Sequence, residues 1–95
     1  MTAYLIVRVE VTDPVQYEEY KKLTPEAIAA AGGRFIVRGG DHETFEGENE
    51  TRRIVVAEFP SMEAARAFYD SDLYRVARTT REGAANMQIV AVQGA

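Results

Sequence analysis

The chain has no cysteine and no tryptophan, a single histidine, three prolines, and only two lysines beside nine arginines. Without cysteine it forms no disulfide, no thiolate metal site and no thiol nucleophile. No apolar run approaches the roughly 20 residues that span a bilayer as a helix, so no membrane partner is expected. Met1-Thr2-Ala3-Tyr4 sets no basic segment before an apolar stretch, so no secretory signal is read and a cytoplasmic location is expected. A formal net charge of −4 counts against general nucleic-acid binding, which calls for a basic surface. What is present is 95 residues, 46% hydrophobic and 27% charged, the make-up of one globular domain over residues 1–95. A domain of this size buries only about 60–65% of the surface its unfolded chain exposes, so self-association would add useful burial.

Tyr4 to Val11 is short, β-branched and divided by parity. Leu5, Val7, Val9 and Val11 form one apolar face, while Tyr4, Ile6, Arg8 and Glu10 form a mixed one. Asp13-Pro14-Val15-Gln16 then reads as a helix start, with Asp13 as cap, Pro14 at the first turn and Gln16 in a capping-box position. Tyr17, Tyr20, Ala27, Ile28 and Ala31 continue it at spacings of three and four. Pro25 demands either a kink or a restart capped by Thr24, and Gly32-Gly33 ends the helix. Arg34–Arg38 is a second strand, and the Gly39–Thr51 connection is too long for a tight hairpin: a mobile flap or a partly extended arm. Arg52–Phe59 is a third strand ended by Pro60. Ser61 caps a helix over Met62–Asp70, a short helix follows over Leu73–Thr80, and Met87–Val92 is the last strand. The order β-α-β-β-α-β predicts an α+β, ferredoxin-like fold with a four-stranded antiparallel sheet and its helices on one face.

The other face of that sheet is not plainly polar. With Ile36 set opposite Ile54, it carries Ile36, Arg38, Ile54, Val56 and Glu58, joined by Tyr4, Ile6, Arg8 and Glu10. The last strand adds either Ile89 and Ala91 or Val90 and Val92. So broad an apolar patch predicts a homodimer in which two sheets pack about a two-fold axis. Arg8, Glu10, Arg38 and Glu58 would then either pair with one another or line a cavity. In a cavity, arginines suit a small anionic or carbonyl-bearing molecule through their planar, multi-donor heads.

Arg38, at a strand end beside Gly39-Gly40, is the leading ligand contact, with Glu58 as its ion-pair partner or a general base. Arg8, Tyr20 and Tyr69 complete the expected ligand-binding set, the phenols at the edge of the core. His42, the one imidazole, is a second proton-acceptor candidate, although its acidic surroundings fit a solvated loop. Asp41, His42, Glu43 and Glu46 lack the spacing of a cation-binding motif, so no metal is expected. Ser71 has no neighbouring base in the sequence and reads as a helix cap.

Taken in order, several segments resemble a known family: Tyr4-Leu5-Ile6-Val7, Asp13-Pro14, Gly32-Gly33-Arg34-Phe35, Arg38-Gly39-Gly40, Glu58-Phe59-Pro60-Ser61, and Phe68-Tyr69 with Tyr74 and Arg81. The chain is similar to the bacterial domain of unknown function 1330, within the dimeric α+β barrel superfamily. The resemblance implies a ferredoxin-like protomer packed on a second copy, but no reaction. Relatives of that architecture range from cofactor-free monooxygenases and muconolactone isomerase to haem-handling proteins, so fold alone does not select a chemistry. Phe68-Tyr69 replaces a tryptophan common in the family, and Asn86 a small or acidic residue. The leading expectation is a cofactor-free homodimer binding a small organic ligand near Arg38 and Glu58. A cofactor-independent monooxygenase or isomerase, with Glu58 or His42 taking a proton, is the alternative. A non-catalytic structural or regulatory dimer is the third.

Overall fold

Side chains in β1 (Ala3–Val11) alternate as the parity of the sequence requires: Ala3, Leu5, Val7 and Val9 are buried, while Tyr4, Ile6 and Arg8 lie half-exposed between them. The computed structural model describes residues 1–95. β1 is followed by α1 (Pro14–Ala30), β2 (Arg34–Arg38), β3 (Arg53–Phe59), α2 (Met62–Asp70), α3 (Asp72–Thr80) and β4 (Ala85–Gln93). The strands form one antiparallel sheet in the order β2-β3-β1-β4. This is the ferredoxin-like arrangement, with its second helix broken in two. No helix is long and apolar enough to cross a membrane.

The helices cover one face of the sheet. Leu5, Val7, Val55, Ala57 and Phe59 meet Tyr17, Ile28, Ala65, Phe68 and Tyr74 there in a single core. Phe59, Phe68 and Tyr74 stack in sequence, with ring centroids 5.3 and 4.5 Å apart. Phe59 is 1% exposed, and burying a side chain of that kind contributes roughly 1.5–3 kcal/mol.

Caps and tertiary bonds set the helix limits. The Asp13 carboxylate accepts from the Gln16 amide at 3.2 Å. The Gln16 side chain does not return to Asp13 as a capping box would. It donates instead to the carbonyls of Thr80 and Glu82, at 2.9 and 2.8 Å, and so closes the end of α3. Ser61 caps α2 through the Ala64 amide, and Ser71 serves two helices at once. Its hydroxyl donates to Phe68 of α2 and accepts from the Tyr74 amide of α3.

Pro25 does not restart α1, for α1 is continuous through it. Proline has no amide hydrogen for the Lys21 carbonyl one turn earlier. That carbonyl accepts instead from the Arg38 guanidinium at 2.9 Å and the Thr24 hydroxyl at 3.3 Å.

The β2–β3 register departs from the expected one. Phe35 lies opposite Ala57, but Val37 lies opposite Val56 and Arg38 opposite Val55, with a bulge between Phe35 and Val37. One extra residue on β2 exchanges the faces beyond it. Arg38 therefore stands on the helix-covered face, not on the open one. The open face carries Tyr4, Ile6, Arg8 and Glu10 from β1, Ile54, Val56 and Glu58 from β3, and Val90 and Val92 from β4.

The connection from Gly40 to Arg52 contains no strand but is tied internally. His42 Nε2 sits 2.8 Å from the Glu50 carbonyl, and the Glu50 amide donates to Thr44 Oγ1 at 2.9 Å. The Glu50 carboxylate takes a forked bond from Arg52 and reaches Arg8 Nε at 3.1 Å, latching the connection to the open face of β1.

Candidate functional site

Two hollows lie between the helices and the sheet. The inner one holds about 40 Å3. Its walls are mostly apolar, with Val7, Val9, Ile28, Val55 and Ile89 among them, and Tyr20 and Tyr74 also line it. The two phenol oxygens are 2.9 Å apart. Burial pushes the Tyr20 phenol up from its ordinary value, and the adjoining Tyr74 hydroxyl adds to the effect. The Tyr17 phenol is also raised, again chiefly by burial, despite the positive charge of Arg53 and Arg38 nearby. These hydroxyls stay neutral near pH 7 and act as hydrogen-bonding groups rather than bases. Arg38, Arg53, Lys21 and Thr24 complete the polar part of the lining.

The outer hollow is an open cleft of about 390 Å3 between α2 and the edge strand β4. It arises because α2 leaves the helix-facing residues of β4 uncovered: Met87, Ile89 and Ala91 form its floor, with Leu5 beside them. Met62 and Ala65 supply the facing helical wall, and Arg66, Tyr69 and Arg81 the polar groups. The Arg81 guanidinium lies over the Tyr20 ring at 5.6 Å, and its buried Nε has no hydrogen-bond partner. Tyr69 is braced by Arg78, 4.6 Å from its ring centroid. The volume falls within the usual range of small-molecule sites, and the mixture of apolar walls and a few polar groups is typical of them.

The residues anticipated as one site are distributed over several places. Arg38 and Tyr20 both line the inner cavity, and Tyr69 lines the outer cleft. Glu58 lies on the opposite face of the sheet from Arg38, beside Tyr4 and 3.5 Å from Arg34, so a cleft shared by Arg38 and Glu58 does not form. The bulge in β2 is the physical reason. Arg8 is also on the open face, bonded to Glu50 and Gln88. His42 is exposed in the β2–β3 connection. The Gly39 position does not admit a ligand against the backbone, because the Arg53 guanidinium already fills that space. Neither hollow is lined by a carboxylate or an imidazole.

Arg53 and Arg81 were not singled out as ligand contacts on sequence grounds. Arg53 shares the parity of the buried residues Val55, Ala57 and Phe59, and that alternation was the available signal. Arg81 lies beyond the end of α3, and nothing local marks it as facing a cleft. Of the two departures from the family pattern, Tyr69 lines the outer cleft, whereas Asn86 bonds Glu10 on the open face at 3.2 Å.

Fold and hollows together define a small ferredoxin-like α+β protein with an arginine-bearing cleft between its helices and its sheet. The chain belongs to the family of the domain of unknown function DUF1330, whose model matches residues 2–95. Solved structures share the fold at low identity. A protein of unknown function from Rhodopseudomonas palustris, RPA0582, is 16% identical with a TM-score of 0.76, over 99% of this chain and 82% of its own. SnoaB, a cofactor-independent oxygenase from Streptomyces nogalater, is 14% identical with a TM-score of 0.72, over 99% and 93%. A dimeric ferredoxin-like protein of unknown function from Jannaschia sp. CCS1 is 13% identical with a TM-score of 0.72, over 99% and 100%. Comparison with curated proteins gives no match.

Proposed function

We propose that the protein is a cytoplasmic homodimer that binds a small organic anion or carbonyl compound in the cleft between α2 and β4. The observation that carries the binding site is Arg81: its buried Nε lacks a partner at the wall of a 390 Å3 apolar cleft. A buried donor without an acceptor costs about 1–3 kcal/mol, which an entering oxygen would recover. Arg66 and the Tyr69 hydroxyl offer further donors, and the Met87-Ile89-Ala91 floor suits a flat apolar body.

Self-association is supported by the open face, where Val37, Val90 and Val92 are 41%, 43% and 45% exposed beside Tyr4, Ile6, Ile54 and Val56. The Jannaschia protein of the same fold is dimeric.

The likeness to SnoaB favours a second reading, a cofactor-independent oxygenase or isomerase. Such an enzyme needs a proton acceptor at its substrate, and the walls of the cleft offer none. Glu58 lies on the open face of the sheet and His42 in the β2–β3 connection, both outside the cleft, so binding without turnover is the reading we prefer.

Thermal unfolding against a panel of aromatic carboxylates and quinones tests the site. A ligand at 100 times its dissociation constant stabilises the fold by about 2.7 kcal/mol, a plain shift in midpoint. The binding reading expects a saturable shift with at least one compound, lost in Arg81→Gln. No shift across the panel would overturn it.

A further inference from the structure

The chain's ion pairs engage Arg8, Lys21, Lys22, Arg34, Arg52 and Arg75. Arg38 and Arg53 have no carboxylate partner, in a protein whose acids outnumber its bases. They are also neighbours. Arg53 Nη2 reaches the Arg38 carbonyl at 3.5 Å, and both guanidiniums bear on the Tyr17 phenol. Both residues line the inner cavity, and two positive charges facing one small cavity without a counter-ion favour an anion there.

The seat of Arg53 is built for it. A Cβ on Gly39 would stand 2.5 Å from Arg53 Cζ, so only glycine at that position lets the guanidinium lie where it does. Arg53 Cζ lies 5.9 Å from the Tyr17 ring centroid, and its buried Nε has no partner. Arg38 is held from the other side, stacked 4.4 Å over Phe35 and bonded to Lys21. Both guanidiniums are therefore positioned before any ligand arrives.

We infer that Arg53, with Arg38, forms a second anion site at the inner cavity, which adjoins the α2–β4 cleft along Leu5, Met87 and Ile89 but shares none of its arginines, and that it takes a short aliphatic carboxylate. The carboxylate accepts from Arg53 Nε, and its alkyl tail enters the cavity between α1 and the sheet. Size sets the class of ligand. The cavity's 40 Å3 exceeds the roughly 10–15 Å3 that one water needs and falls well below the roughly 150 Å3 of a pocket that takes benzene. A chain of a few carbons fits; an aromatic ring does not.

The test is a titration of the 15N-labelled protein with sodium butyrate at constant ionic strength, followed through the arginine Nε–H resonances, with sodium chloride as control. The site predicts a saturable shift of the Arg53 resonance with butyrate, larger than any produced by chloride, and at least a tenfold loss of affinity in Arg53→Gln. Arg81→Gln should leave this response unchanged. An Arg53 shift that is linear in butyrate, or equal with chloride, would overturn the proposal. So would a saturable shift confined to Arg81, which would move the carboxylate to the outer cleft and leave the proposed function standing. The wild-type titration decides the matter even if Arg53→Gln fails to fold.

Discussion

Arg38 donates to the main-chain carbonyl of Lys21 at 2.9 Å, the acceptor that Pro25 leaves without a helical amide. A strand side chain thus repairs a helix, and the repair joins the end of β2 to the middle of α1. It also gives Arg38 a structural task beside its place at the inner cavity.

Removing this donor has a cost that depends on proline. Arg38→Ala should lower stability by about 1 kcal/mol, the usual worth of one partly exposed hydrogen bond. Pro25→Ala restores the amide, so in its background the same substitution should cost less. Urea unfolding of the four proteins would measure the coupling, expected at about 0.5–1 kcal/mol. Simple additivity would mean that the guanidinium does not stand in for the amide.

Two adjacent glycines should respond very differently to alanine. Gly39 has φ +71° and the Arg53 guanidinium against it, so Gly39→Ala should cost about 1–3 kcal/mol. Nothing lies within 4 Å of a Cβ placed on Gly40, so Gly40→Ala should stay within about 0.5 kcal/mol. Equal effects in thermal unfolding would contradict the packing described for Arg53.

Much of this architecture is legible in the residues. The parity of β1, the Asp13, Ser61 and Ser71 caps and the Gly32-Gly33 stop all follow from local chemistry, and with them the ferredoxin-like order. The bulge at Ile36 does not: Arg34–Arg38 carries no glycine or proline to mark it, and only pairing with β3 shows where the extra residue goes. That single step moves Arg38 to the helix face and separates it from Glu58. The path of α1 through Pro25 and the turn of Gln16 towards α3 were hidden for a similar reason, since each rests on a partner distant in sequence. Tyr69, expected among the phenols at the edge of the core, lines the outer cleft. Parity alone marks Arg53 and nothing local marks Arg81, and the missing partner of each Nε is a property that no sequence pattern records.

Glu50 gives the fold a definite response to acid. The forked bond from Arg52, joined by the charge of Arg8, lowers its pKa from 4.5 to about 2, against a smaller opposing effect of desolvation. A carboxylate depressed in the folded state stabilises it fully above the unfolded value and loses that contribution as pH falls towards the folded one. The stability gap between the wild type and Glu50→Gln should therefore be widest above pH 4.5 and close as pH approaches about 2. Denaturant midpoints across that range would show it. A constant gap would mean that the carboxylate's charge is not what latches the β2–β3 connection.

The open face yields a prediction about assembly. Val90 is 43% exposed in the single chain, so Val90→Asp should change the stability of an isolated protomer by no more than about 0.5 kcal/mol. Buried between two sheets, the same carboxylate would carry a heavy desolvation cost. The substitution should separate the protomers while circular dichroism stays that of the folded protein. Separation accompanied by unfolding would point to a protomer that cannot stand alone.

Sedimentation equilibrium of the wild-type protein at micromolar concentration bears most directly on the pairing of two apolar sheet faces. The expected particle has twice the 10.6 kDa chain mass, and Val90→Asp should return the single-chain value. A wild-type particle of 10.6 kDa would contradict the pairing.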